Sequence, residues 1–166
     1  MKNIISQIPA FIILVILASG CNTADRSQSD EFDQQLKDGW SVESSAKVNA
    51  SGGIISKPGF DVSKWYKTAV PATVMAALIA NNEYPGIFMG DNINMVDTSR
   101  FRTPWWYRNE FTFDDALKNT ELIFEGINYR ANIWLNGTKI ASADTLLGGF
   151  RIFKLDVSRF IAGGNN

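Results

Sequence analysis

Residues 122–150 read LIFEGINYRANIWLNGTKIASADTLLGGF, and their reading decides the fold. Ala131, Ile133 and Leu135 alternate with Arg130, Asn132 and Trp134, the two-residue period of a half-buried strand. Asn136-Gly137 follows at once, the dipeptide that best tolerates the two positive φ angles of a type I′ turn. A two-residue turn there sets Leu135 opposite Thr138 and Trp134 opposite Lys139. Ile133 then meets Ile140 and Ala131 meets Ser142, so both isoleucines share a face. Leu122 and Phe124 begin a strand upstream, and Phe153, Leu155 and Val157 alternate downstream. The expectation is an all-β, antiparallel domain.

A chain of 166 residues is the size of one domain with a sizeable core. Apolar residues make up 45% and charged residues 20%, the balance of a globular chain. The formal net charge of −1 offers no basic footprint, so no nucleic-acid partner is expected. Histidine is absent, which removes the Ser-His-Asp arrangement and imidazole ligands together. Cys21 is the sole cysteine, so neither an internal disulfide nor a thiolate cluster can form. No metal and no cofactor is expected.

The N-terminus reads as a targeting segment. A short positive start, Met1-Lys2-Asn3, precedes an apolar run that is uninterrupted only over residues 8–18. That run is shorter than a bilayer core of about 30 Å requires, and small residues follow it, as in a secretory signal. Leu17-Ala18-Ser19-Gly20-Cys21 resembles a bacterial lipoprotein processing site, with Ala18 standing where leucine is usual and Leu17 one place earlier. The expected organisation is a signal peptide over 1–20 and a flexible tether over 21–32 beginning at a lipidated Cys21. The folded part is then 33–166. This predicts export to the bacterial cell envelope and a lipid anchor in a membrane, with Cys21 an anchor and not a catalyst.

In the folded part, Leu36, Trp40 and Val42 open the first strand. Gly52-Gly53 and Pro58-Gly59 read as two turns bracketing Ile54-Ile55. Trp65, Lys67 and Ala69 alternate with Tyr66, Thr68 and Val70 as a short strand, which Pro71 ends. Thr73 is placed to cap a helix from Val74 to Ala80 with Met75, Leu78 and Ile79 buried, and Asn81-Asn82 suits its exit. Gly90 and Asn92 permit a tight loop.

Trp105, Trp106, Tyr107 and Arg108, together with Asp91 and Asn92, are candidate sugar or interdomain contacts. Indole faces and a guanidinium could form a sugar platform. Adjacent strand residues point to opposite faces, however, so at most one tryptophan could join it. The structural or interdomain role is therefore preferred, with Arg108 pairing with Glu110 or Glu125.

Family resemblance enters with F-E-G-I, A-N-I-W-L-N-G, G-G-F and F-K-L-D-V-S in residues 124–158. These motifs resemble the N-terminal sugar-binding domain of glycoside hydrolase family 2, a jelly-roll β-sandwich. W-Y-K-T-A-V-P-A-T-V-M-A-A-L, Y-P-G-I-F-M-G-D-N and P-W-W-Y-R-N-E-F, at residues 65–78, 84–92 and 104–111, resemble the exo-β-D-glucosaminidase branch, near the β-mannosidases. The loop departs from that branch at Gly86-Ile87, where Asp-Pro is frequent, and at Met89, where Tyr is frequent.

A retaining glycosidase needs two carboxyl groups about 5–5.5 Å apart. Asp114-Asp115, Glu125, Asp91, Asp97 and Asp156 suggest no such pair. The resemblance implies that the catalytic glutamates lie on a (β/α)₈ barrel further along, beyond an immunoglobulin-like domain. It also implies that these domains and, through them, an oligosaccharide are the partners. On that view the segment is a C-terminally incomplete jelly roll with one capping helix, catalytically inactive by itself. Gly163-Gly164-Asn165-Asn166 reads as a turn leading to a further strand. The rival reading is a stand-alone, envelope-anchored carbohydrate-binding module.

Overall fold

The computed structural model describes residues 32–114 and 119–166; Cys21, the expected signal segment, most of the expected tether and Asp115 lie outside them. In chain order the elements are β1 (Trp40–Ser44), α1 (Gly52–Ile55), β2 (Tyr66–Thr68), α2 (Val74–Ala80), β3 (Trp105–Arg108), β4 (Thr112–Phe113) and β5 (Glu121–Phe124). They continue with β6 (Ile133–Leu135), β7 (Thr138–Ala141), β8 (Phe153–Asp156) and β9 (Gly164–Asn165). Every ladder among the described residues is antiparallel: β2-β1-β3, β4-β9, β5-β8 and β6-β7.

The hairpin forms at the expected corner. Asn136 and Gly137 take φ of 49° and 87°, the signs that a type I′ turn demands. Leu135 faces Thr138 and Trp134 faces Lys139, but Ile133 faces Ala141, because the register shifts between Ile133 and Trp134. Ile140 is thus the extra residue of a β-bulge and not the partner of Ile133. Beyond the bulge, Asn132 Oδ1 accepts from Ala143 N–H at 3.0 Å, and Ala131 N–H donates to the carbonyl of Leu146, not toward Ser142. A side-chain oxygen has replaced a ladder bond, something that alternation of apolar residues does not encode.

The strands at 122–124 and 153–157 pair as β5-β8, with Leu122 opposite Leu155 and Phe124 opposite Phe153. One face, Phe153 and Val157, is buried, while Ile123 and Lys154 look outward. Gly164-Asn165 is a strand and not the turn that its composition suggests. It pairs with Thr112-Phe113, and the buried Asn166 amide ties it down through Ala162 and Gly164.

Helix α2 spans Val74–Ala80 as expected, and Thr73 Oγ1 accepts from Ala76 N–H at 3.1 Å, satisfying one of the orphan donors of its first turn. Asn81 closes it, its side chain donating to the carbonyls of Ala77 and Lys67. The fully buried stripe is Ala77-Leu78, with Met75 and Ile79, also expected to be buried, only half-buried.

Gly52-Gly53 does not turn the chain but starts the single helical turn α1, in which Ile55 N–H donates to Ser51 and Ser56 N–H to Gly52. The core gathers Val42, Ile55, Leu78, Leu135, Phe153 and Val157, all less than a tenth exposed.

Candidate functional site

Strand β3 carries four of the six candidate residues and pairs with β1, with Trp106 opposite Glu43 and Arg108 opposite Ser41. Alternation sends its side chains to two different surroundings. On one face Trp106 meets Trp134 of β6, ring centroids 5.2 Å apart and tilted by 57°, the offset geometry favoured by ring quadrupoles. Arg108 follows on the same face, and its guanidinium is buried. Nε donates to the Ile55 carbonyl at 2.8 Å, Nη2 to the Lys57 carbonyl at 2.9 Å, and Nη2 also contacts Glu110 Oε1.

Glu110 also accepts from Gly59 N–H at 2.7 Å and from Asn165 Nδ2 at 3.1 Å. The Arg108 hydrogen bond, with help from Asn165 and Gly59, holds its carboxyl below the ordinary value of 4.5. Of the two acids read from the sequence as partners of Arg108, Glu110 occupies the position and Glu125 is exposed. Arg108 and Glu110 line a shallow recess of about 400 Å³ with Ser41, Phe60 and Lys67. Lys67 Nζ is held there by Ser41 Oγ at 2.9 Å and the Val62 carbonyl at 3.1 Å. This is a clasp between β3, α1 and β9.

On the other face, Tyr107 donates its hydroxyl to the Ala72 carbonyl at 3.1 Å, and burial raises its phenol above the ordinary range. Trp105 donates Nε1 to the Arg100 carbonyl at 3.2 Å. The Arg100 guanidinium lies 5.8 Å from the Trp105 ring centroid and 5.6 Å from that of Tyr84, within cation–π range. Its Nη1 donates to the Tyr84 hydroxyl at 2.9 Å and stands 3.7 Å from Glu83. Sequence reasoning missed Arg100 entirely; nothing in T-S-R-F-R marks a residue that joins two aromatic rings from different segments.

That pin brings Trp105 to the loop carrying Asp91 and Asn92 and leaves Trp106, Tyr107 and Arg108 elsewhere. Within the loop, Asn92 Nδ2 and Met89 N–H both donate to the Gly86 carbonyl at 2.9 Å, and Asn94 Nδ2 donates to Asp91 Oδ1 at 2.8 Å. A second recess, about 230 Å³, opens between Tyr84, Ile87, Asn92, Met95 and Asp97.

Asp61, Asp97 and Asp156 each accept from the backbone and hydroxyl of the serine two residues on. Those bonds hold all three carboxyls below the ordinary carboxylate range. A glycosidase general acid requires the reverse, a carboxyl raised by burial or by a like charge. Among the described residues no cluster of His, Cys, Asp or Glu is placed to hold a metal ion.

The family model described as "glycosyl hydrolase 2 galactose-binding domain-like" matches residues 40–166. The chain belongs to that family.

Among similar proteins, the exo-β-D-glucosaminidase of Amycolatopsis orientalis is 37% identical over 128 residues, 77% of this chain and 12% of that protein. The exo-β-D-glucosaminidase of Arthroderma benhamiae is 32% identical over 97% of this chain and 19% of its own length. The crystal structure of the A. orientalis exo-chitosanase CsxA superposes with a TM-score of 0.76 at 35% identity, covering 81% of this chain and 16% of that one. A Bacteroides uniformis β-glucuronidase, 18% identical with a TM-score of 0.51 over 80% of this chain and 13% of its own, shares the fold alone. The family 2 domain is therefore an N-terminal β-sandwich module of the kind found in exo-β-D-glucosaminidase-like glycoside hydrolases, spanning less than a fifth of the curated relatives just named.

Proposed function

We propose that this domain is the non-catalytic scaffold of a retaining β-glycosidase that releases terminal glucosamine from β-linked oligosaccharides. The observation that carries the reading is the 37% identity to an exo-β-D-glucosaminidase across the folded residues. In the full-length protein, p-nitrophenyl β-D-glucosaminide is expected to be hydrolysed at least tenfold faster than the β-D-mannoside, the range that a mismatched substituent commonly produces. Faster cleavage of the mannoside, or of neither, would reject the glucosaminidase assignment.

The same proposal places the protein in the cell envelope, held by a lipid on Cys21, the sole thiol of the sequence, which follows an apolar run and small residues. Metabolic labelling with a radioactive fatty acid is expected to mark the wild type and not Cys21→Ser. Equal labelling of both would remove the anchor from the reading.

A further inference from the structure

Asn136-Gly137 is the sole Asn-Gly pair in the sequence. In an open chain this dipeptide is chemically labile, because glycine places no side chain between its own backbone nitrogen and the asparagine amide. The nitrogen of Gly137 attacks Asn136 Cγ, the new N–Cγ bond forms, the Cγ–Nδ2 bond breaks, and the displaced proton leaves on ammonia. Water then opens the succinimide at either carbonyl, giving aspartate or isoaspartate. No reagent other than water is consumed.

The folded corner opposes each stage of that reaction. Gly137 N–H donates to Ser56 Oγ at 3.0 Å, and a Cβ on Gly53 would lie 3.0 Å from the Gly137 carbonyl oxygen, so the attacking nitrogen is pinned against α1. Attack would place negative charge on Asn136 Oδ1, which is buried and has no hydrogen-bond donor among the described residues. An oxyanion without donors in a site closed to water is a poor intermediate. The leaving nitrogen, Nδ2, donates to the Phe160 carbonyl at 2.9 Å and to Asn166 Oδ1 at 2.7 Å. Both partners are acceptors, and neither has a proton to give to departing ammonia.

We infer that Asn136 is a deamidation site held closed by the fold, reacting only when the hairpin corner lifts from α1 and from Asn166. Its product cannot rebuild the corner. Aspartate sets a carboxylate oxygen where Nδ2 stood, facing the same two acceptors, which then lose their donor. Isoaspartate adds a methylene to the backbone of a two-residue turn whose length fixes the strand register. Reaction during an opening is therefore irreversible, and the corner keeps a chemical record of having come apart.

Deamidation is followed in the full-length protein, in mildly alkaline buffer, by the mass gain of the peptide that carries residue 136. Removing an oxyanion donor slows acyl chemistry by about 10²–10³, so the native rate should be at least roughly a hundredfold below the rate in guanidinium. Ser56→Ala, which frees the Gly137 nitrogen, should raise the native rate about fivefold, the effect of one ordinary hydrogen bond, and leave the unfolded rate alone. Thr73→Ala removes the α2 cap without touching the corner, and should leave the native rate unchanged.

A native rate within about tenfold of the unfolded rate would overturn the inference. Equal acceleration by Ser56→Ala and Thr73→Ala would overturn it as well, since global unfolding and not the corner would then set the rate. Asn136→Asp tests the product: a lowered urea midpoint of tryptophan fluorescence, or no folded protein, is expected. A wild-type midpoint would show that the modified corner re-forms and that the reaction leaves the fold untouched.

Discussion

Replacing Arg108 by methionine is expected to cost the domain about 3 kcal/mol, read as a shift in the urea midpoint of its tryptophan fluorescence. Methionine fills part of the volume but supplies no donor. The carbonyls of Ile55 and Lys57 lose the bonds that hold α1 and its following loop to the sheet, and Glu110 loses its cationic partner. Removing one member of a buried pair costs about 3–5 kcal/mol when water cannot reach the other. Glu110 keeps 30% of its side-chain surface exposed, which places the expected effect at the lower end.

The pH dependence follows from the sign of the Glu110 shift. Its folded-state carboxyl is depressed, chiefly by Arg108, so its contribution is fully present above the ordinary value of 4.5 and is lost as pH falls through the lower folded value. The stability gap between wild type and Arg108→Met should therefore narrow below about pH 4.5. A gap that is unchanged or wider in acid would show that the carboxylate takes no part, and a gap near zero at pH 7 would show that the clasp does not stabilise the domain.

Gly52→Ala should cost about 2 kcal/mol, within the 1–3 kcal/mol range of overpacked sites. A Cβ at this position would sit 2.5 Å from Trp134 Cδ2 and 2.6 Å from Cζ2, well inside van der Waals contact. The obstructing atoms belong to a rigid indole that is itself packed against Trp106, so relief requires moving a ring and not the end of a flexible chain. Next door, a Cβ on Gly53 would lie 3.0 Å from the Gly137 carbonyl oxygen, and Gly137 N–H donates to Ser56 Oγ at 3.0 Å. Displacing α1 therefore also disturbs the hairpin corner. The expected readout is a lowered urea midpoint together with altered near-ultraviolet dichroism from the Trp106–Trp134 pair. Wild-type values for both would mean that α1 moves aside freely.

These two residues show where reading by sequence stops. The Asn136-Gly137 corner, the Val74–Ala80 helix behind Thr73 and the strands at 122–124 and 153–157 were legible because their causes are local. Positive φ, a capping hydroxyl and a two-residue apolar period all reside in neighbouring positions. Gly52 read as a turn residue because glycine's commonest use is conformational, and its true cause, an indole from a distant strand, is invisible in its neighbours. The extra residue at Ile140 escaped for a related reason, since the bond from Ala143 to Asn132 that accommodates it depends on side-chain reach.

Among the candidate site residues, alternation alone separated Trp105 from Trp106. It could not say that one would meet Trp134 and the other Arg100. Sequence alone thus determined an antiparallel β domain, its corner, its helix and its family motifs, all set by interactions between near neighbours. Tertiary structure alone decided that Arg108 closes a clasp onto a carbonyl 53 residues away and that Arg100 joins Tyr84 to Trp105. It also decided that the loop beside them turns its methionines outward, because burial and pairing are settled by which segments meet in space.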